Sequence, residues 1–203
     1  MRLPQRKGTV LKDFFRAMRP KMAMNGSLCI IDGISERLLC NLNKECIMKI
    51  AAEAVEDDAV LQALFHLMAD SNPSLRWRAA WAMEKVSRLQ PSLLQTSHRE
   101  ITEMAVSPDI TDGHRRLLLG ILYNLPNGEE LDVKLFNYLL DKMTDLKSPS
   151  SVQALSMKLA SRMSLMNRDL HDEFLCIIRN MDLEYYSAGV KSVVRNCLKK
   201  KRS

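Results

Sequence analysis

The sequence predicts an all-α protein built as an α-solenoid of about five antiparallel helix pairs. Three observations support this fold class. Apolar residues recur at helical spacing along most of the 203-residue chain, and no segment has the alternating pattern of a strand. Short polar turns separate the helical segments, and such turns make neighbouring helices antiparallel. Similar second-helix segments recur at offsets in the thirties, which is typical of two-helix repeats.

Ten helical segments follow from the apolar periodicity and from the residues that cap or break helices. They span residues 28–42, 44–55, 58–68, 74–89, 97–106, 113–125, 129–146, 150–163, 171–180 and 185–199. The first helix is expected to begin after Gly33. Asn43, Asp57 and Thr111 are expected N-caps, because their side-chain oxygens can accept a first-turn amide hydrogen. Asp169 is the expected cap of the ninth helix.

The clearest repeat unit lies between Asp70 and Val86. Its Asx-Ser cluster can end one helix and cap the next, and Pro73 stands where a missing N–H costs nothing. The apolar stripe of the second helix contains Leu75, Ala79, Ala82, Met83 and Val86. The two small residues Ala79 and Ala80 permit a neighbouring helix to approach closely.

This unit resembles the inter-helix turn and second helix of a HEAT repeat. The matching features are the Asp, the Asn-Pro, the Leu75-Arg76 pair and the Ala-Ala-x-Ala run that begins at Ala79. The resemblance is to the HEAT/armadillo-like superfamily. It implies a right-handed superhelix, second helices that line a concave face, and a usual role in binding other macromolecules.

The positive charge of the chain is concentrated at its two ends. The net charge is +6, while residues 1–23 contribute +6 and residues 199–202 contribute +4, so the remainder carries about −4 by subtraction. We therefore divide the chain into a basic N-terminal arm (1–23), a HEAT-like solenoid (24–198) and a basic C-terminal tail (199–203). The arm is expected to be a solvated tail or the product of an upstream start, since Met24 can also initiate. Its alternatives are a basic arm that binds a membrane surface, an acidic partner or nucleic acid, and an organelle import sequence.

Residue patterns typical of enzymes and metal sites are absent from the sequence. The five cysteines form no CxxC pair and no histidine has a second ligand at i+3 or i+4, so reduced thiols in a cytoplasmic protein and no metal site are expected. Neither a phosphate-binding glycine loop nor a nucleophile elbow occurs, so no catalytic activity and no cofactor are predicted. His66 is expected in the core. His171 with Asp172 and Glu173 is expected at the surface, as a helix start rather than a metal site.

One candidate binding strip lies on the second helix of the clearest repeat and continues on the next second helix. Its members are Trp77, Arg78, Trp81, Lys85, Arg88, Arg115 and Arg116. Trp77 and Trp81 lie one turn apart, opposite the apolar stripe, where they can bind a partner by cation–π contacts or stack on nucleic-acid bases. The alternative, which the sequence favours, is that both tryptophans pack between neighbouring repeats.

Together these observations predict a non-catalytic scaffold that binds a protein partner on its concave face. The alternative is a nucleic-acid-binding protein, either non-specific or similar to the HEAT-like DNA glycosylases for alkylated bases. Those enzymes use a concave face with aromatic, basic and aspartate residues, and no such aspartate is evident here. The acidic balance of the body weakens this alternative further. A membrane surface would be contacted only through residues 1–23, because no segment has the apolar length to cross a bilayer.

Overall fold

The computed structural model describes residues 24–40, 43–128 and 131–199, and the regular secondary structure of these ranges is entirely helical. The helices are α1 (Met24–Cys40), α2 (Lys44–Glu56), α3 (Asp58–Leu67), α4 (Pro73–Leu89), α5 (His98–Val106), α6 (Asp112–Asn124), α7 (Val133–Thr144), α8 (Ser150–Ser164), α9 (Arg168–Arg179) and α10 (Ala188–Lys199). Short 3-10 helices at Pro91–Ser97 and Leu183–Tyr185 precede α5 and α10. The all-α prediction is therefore confirmed. The predicted arm at 1–23, and the tail after residue 199, lie outside the described residues.

The chain forms two compact units, of which the first ends at Leu89 and the second begins at Gln90. In the first unit, α1 packs on α3 and α2 packs on α4, while α3 also packs on α2 and α4. First helices and second helices of the two pairs thus form separate layers, as expected for stacked two-helix repeats.

The second unit contains three helix pairs, and its second helices pack in succession. Helix α8 contacts α6 on one side and α10 on the other, and it also packs on α7 and α9. Helix α8 is therefore the central element of this unit. The largest fully buried side chains of the second unit include Phe136 on α7 and Phe174 on α9, which are both first helices.

The turn before α4 has the structure that the sequence predicts. The Asn72 side-chain oxygen accepts hydrogen bonds from the amides of Ser74 at 3.0 Å and Leu75 at 3.4 Å. Asp70 accepts the amide of Asn72 at 2.7 Å, and Pro73 is the first helical residue. Local capping chemistry alone thus accounts for where α4 begins.

Other helix starts follow the same rule, with two corrections. Asn43, Asp57 and Thr111 each accept a first-turn amide hydrogen, as predicted. Helix α9 is capped by Asn167, which accepts two amides at 2.8 and 3.3 Å, rather than by Asp169. The predicted helix 129–146 is shorter, because Asp132 caps α7 and accepts an amide at 2.9 Å.

Helix α1 begins at Met24 and continues through Gly33, so the predicted start after Gly33 was wrong. Replacing Gly33 with alanine should raise the free energy of unfolding by roughly 0.5–1 kcal/mol. Gly33 is exposed, and a Cβ there would have no atom within 4 Å, so the change mainly restricts the unfolded backbone. Urea denaturation followed by circular dichroism measures this gain.

The matched control is Gly189→Ala in the first turn of α10, where a Cβ would meet only the Ser187 hydroxyl at 3.8 Å. A smaller gain is expected there, because first-turn residues depend less on helix propensity. Destabilisation by Gly33→Ala would show that α1 does not continue through this position in solution.

Candidate functional site

We use the name second-helix surface separately for each unit: in the first unit for the outward-facing residues of α2 and α4, and in the second for those of α6, α8 and α10. The predicted strip is distributed over both units. Its members between Trp77 and Arg88 lie on α4, whereas Arg115 and Arg116 lie on α6.

Trp77 and Trp81 form an aromatic pair on α4. Their ring centroids are 5.4 Å apart and the ring planes are inclined by 46°. Both side chains are half-buried, whereas the apolar stripe on the other side of the helix is buried. The pair therefore contributes to packing and still presents aromatic surface to solvent.

The basic side chains that follow the tryptophans are neutralised by Glu84. This carboxylate is only 5% exposed, and its two oxygens accept hydrogen bonds from Lys85 at 2.7 Å and from Arg88 at 2.6 Å. An anion that approached this end of α4 would compete with a carboxylate already in place. The predicted strip on α4 therefore contains a buried carboxylate between its tryptophans and its last basic residue.

Arg78 is also engaged within the fold. Its guanidinium donates to the carbonyl oxygens of Leu38 at 2.7 Å and Leu39 at 3.0 Å, in the last turn of α1. Carbonyls at a helix C-terminus lack intrahelical donors and carry partial negative charge, so the cation stabilises the end of α1.

Arg115 is buried, which corrects its place in the predicted exposed strip. It is 6% exposed and donates to the carbonyls of Ala105 at 2.5 Å and Ser107 at 3.0 Å, at the end of α5. It also donates to the hydroxyl of Tyr138, whose ring centroid lies 5.7 Å from the guanidinium carbon. Burial raises the pKa of Tyr138, which keeps this hydroxyl protonated. The neighbouring Arg116 is half-buried.

Arg162 on α8 acts in the same way and was not singled out from the sequence. It donates to the carbonyls of Leu122 at 2.9 Å, Tyr123 at 2.6 Å and Leu125 at 2.7 Å, at the end of α6. Its guanidinium carbon also lies 5.5 Å from the ring centroid of Tyr123. Arg78, Arg115 and Arg162 thus form a recurring set of carbonyl-capping arginines.

A cleft of about 200 Å³ opens on the second-helix surface of the second unit. It is lined by Tyr123 from α6, Lys158 and Ser161 from α8, and Val193, Asn196 and Cys197 from α10. The sequence analysis missed this cleft, because its residues come from three helices that are distant in the chain.

Charge in the second unit is segregated between the two layers of helices. The second helices α6, α8 and α10 contain seven Lys or Arg and one Asp, a net charge of +6. The first helices α5, α7 and α9 contain five Lys or Arg and six Asp or Glu, a net charge of −1. The net charge of the chain between its two basic ends conceals this basic layer, because it sums first and second helices together. Adding the charges of the second helices alone would have revealed it.

The comparisons with known proteins identify the family. A family model for the HEAT repeat domain matches residues 34–201. The chain belongs to the HEAT repeat domain family. No curated protein and no solved structure gives a significant match. The resemblance inferred from one repeat unit is confirmed over most of the chain, and membership supports a scaffold that mediates protein interactions.

The histidines of this HEAT repeat protein are not arranged as a metal site. His66 is exposed, so its predicted place in the core was wrong. His171 is buried with its Nδ1 3.0 Å from the Ser164 hydroxyl, which separates it from the exposed Asp172 and Glu173. Within the ranges described, no three His, Cys, Asp or Glu residues are grouped to hold a metal ion.

No helix in the described ranges of this HEAT repeat protein combines the length and the apolar character that a membrane-spanning helix needs.

Proposed function

We propose that this HEAT repeat protein is a non-catalytic interaction module that binds a protein partner through its second-helix surface. The observation that supports the proposal is the half-buried pair of Trp77 and Trp81, in contact at 5.4 Å on α4. Tryptophan is among the residues most enriched at interface hot spots, because a large rigid ring buries much apolar area at low entropic cost.

The surroundings of the pair favour a protein over a nucleic acid at this position. Lys85 and Arg88 are held by Glu84, and Arg78 is held by carbonyls of α1. A nucleic-acid site needs cations that are free to contact phosphates and open aromatic faces on which bases stack. Arg78, Lys85 and Arg88 thus have partners within the fold, and the two rings are in contact with each other.

Replacing Trp77 and Trp81 together with alanine should reduce binding to the native partner at least tenfold, since loss of a hot-spot side chain costs about 2 kcal/mol or more. Affinity capture of the full chain from its native cells, with quantitative mass spectrometry, identifies candidate partners. Titration with each purified partner then measures the change in affinity.

The matched control replaces Leu146 and Tyr185 with alanine, because these side chains are 56% and 71% exposed and lie away from α4 in sequence. Circular dichroism establishes that both double variants remain folded. Unchanged partner affinity in a folded Trp77→Ala/Trp81→Ala variant would contradict the proposal. DNA binding that weakens steeply from 50 to 200 mM salt would support the nucleic-acid alternative instead, provided that the same double substitution abolishes this binding.

A further inference from the structure

We propose that Cys40 and Cys46 form a thiol–disulfide exchange site, at which a small-molecule disulfide such as glutathione disulfide oxidises the two thiols to a bond between α1 and α2. This site is separate from the proposed interaction function. All five cysteines are free thiols in the structure, which therefore describes the reduced form of the site. We use the name thiol groove for the open space that Cys40 and Cys46 both line.

The thiol groove lies between the end of α1 and the first turns of α2. Its volume of about 560 Å³ is within the range of about 300–1,000 Å³ that is common for small-molecule sites. Arg37 and Cys40 line it from α1, and Cys46 and Lys49 line it from α2. A small disulfide can therefore reach both thiols from the same open space.

The register of each helix agrees with this placement of the two cysteines. Cys40 is four residues after Glu36 on α1, and Cys46 is three residues before Lys49 on α2. Residues three or four apart share one face of a helix, and both Glu36 and Lys49 line the thiol groove. Cys40 and Cys46 thus lie on its two opposite walls.

A direct contact between the helices brings the two cysteines close together. The Cys46 thiol donates to the backbone carbonyl oxygen of Arg37, in the last turn of α1, at 3.8 Å. Cys40 is three residues beyond Arg37, and residues at that spacing have Cβ atoms about 5–6 Å apart. A disulfide needs Cβ atoms about 3.5–4.5 Å apart. Because Cys40 is the last residue of α1, and helix ends adjust at little cost, this bond is within reach.

The oxidation consists of two exchange steps. Cys40 is exposed and reacts first: its thiolate attacks one sulfur of glutathione disulfide, a bond from Cys40 to glutathione forms, and the glutathione S–S bond breaks. The Cys46 thiolate then attacks the Cys40 sulfur, so that the Cys40–Cys46 bond forms and the second glutathione leaves. Each departing glutathione thiolate takes up the proton that one cysteine has lost. The two cysteines lose two electrons, and glutathione disulfide gains them as two molecules of glutathione.

The other exposed cysteines lack such a neighbour. Cys29 precedes Cys40 by eleven residues on the same helix, which is about 16 Å at 1.5 Å per residue. Cys176 is exposed on α9 of the second unit, where the other cysteine, Cys197, is buried. Glutathione bound to Cys29 or Cys176 therefore meets no accessible thiol that could displace it, and the mixed disulfide persists.

Equilibration of the full-length chain with mixtures of reduced and oxidised glutathione, followed by acid quenching and peptide mass spectrometry, tests the proposal. Trypsin cleavage after Lys44 separates the two cysteines, so linked peptides identify the Cys40–Cys46 bond. Glutathione adducts are expected at Cys29 and Cys176.

The equilibrium constant for the Cys40–Cys46 bond should be at least about tenfold larger in native buffer than in concentrated urea, which corresponds to about 1.4 kcal/mol. By the same thermodynamic cycle, the bond should raise the urea midpoint of the first unit. Equal equilibrium constants in the two solvents would overturn the proposal, since the fold would then contribute nothing to pairing.

Single substitutions Cys40→Ser and Cys46→Ser each remove one member of the pair, and the remaining thiol should then retain glutathione. The matched control is Cys29→Ser with Cys176→Ser, which removes two exposed thiols away from the thiol groove. It should change the equilibrium constant of the Cys40–Cys46 bond by less than about twofold. Circular dichroism establishes that each variant is folded.

Two other results would also overturn the proposal. One is stable glutathione on Cys40 and Cys46 together, without linked peptides, because it would show that the two sulfurs do not meet. The other is a bond from Cys40 or Cys46 to a different cysteine in preference to the proposed pair. Neither result concerns Trp77 and Trp81, so the interaction function is tested separately.

Discussion

Replacing Arg115 with methionine should lower the free energy of unfolding of the second unit by about 3–5 kcal/mol. The substitution keeps a long side chain but removes the guanidinium that donates to the carbonyls of Ala105 and Ser107 and to the Tyr138 hydroxyl. Ala105 would retain the longer hydrogen bond from Tyr138 at 3.4 Å. These acceptors lie where α5 ends and where water has little access, so their lost hydrogen bonds are not readily replaced. Urea denaturation followed by circular dichroism provides the measurement.

Arg116→Met is the control, because it makes the same chemical change one residue away at a half-buried side chain. It should change stability by no more than about 0.5 kcal/mol. Arg115→Lys should recover less than half of the loss, since an ammonium cannot reproduce the planar fork that reaches both carbonyls. Equal effects of Arg115→Met and Arg116→Met would contradict the assigned role of Arg115.

Replacing Arg162 with methionine should destabilise the second unit by about 2–4 kcal/mol. The three carbonyls at the C-terminal end of α6 would lose their donor, and Tyr123 would lose the guanidinium that lies over its ring. Urea denaturation measures the loss.

Lys158→Met is the matched control on the same helix, one turn before Arg162 and at an exposed position. It should leave stability nearly unchanged, because an exposed side chain loses few contacts on truncation. A loss of less than 1 kcal/mol in Arg162→Met would mean that water satisfies the freed carbonyls. The two variants thus separate the loss of a carbonyl-capping arginine from the loss of an exposed positive charge on the same helix.

Most of the fold was predictable because its signals are local. Asn72 and Pro73 define the start of α4 through hydrogen bonds and steric limits within a few residues. The small residues Ala82 on α4 and Ser156 on α8 are fully buried, as close packing of second helices requires.

The candidate site was less predictable because its features join distant parts of the chain. The burial of Arg115 depends on Tyr138, and the position of Arg78 depends on carbonyls about 40 residues away. No periodicity in the sequence distinguishes an arginine that caps another helix from one that faces solvent. The tryptophan pair was recognisable by its spacing, but its half-buried state follows from tertiary packing.

The central position of α8 has a consequence for how the second unit opens. Because α8 packs on four helices and α10 packs on α8, local unfolding should begin with the peripheral last pair while α8 keeps its structure. The cleft between α6, α8 and α10 loses a wall at this first step, since Val193, Asn196 and Cys197 of α10 line it. Any molecule held in this cleft would therefore raise the free energy of that early opening through mass action. Occupancy of the cleft and order of the last helix pair would rise and fall together.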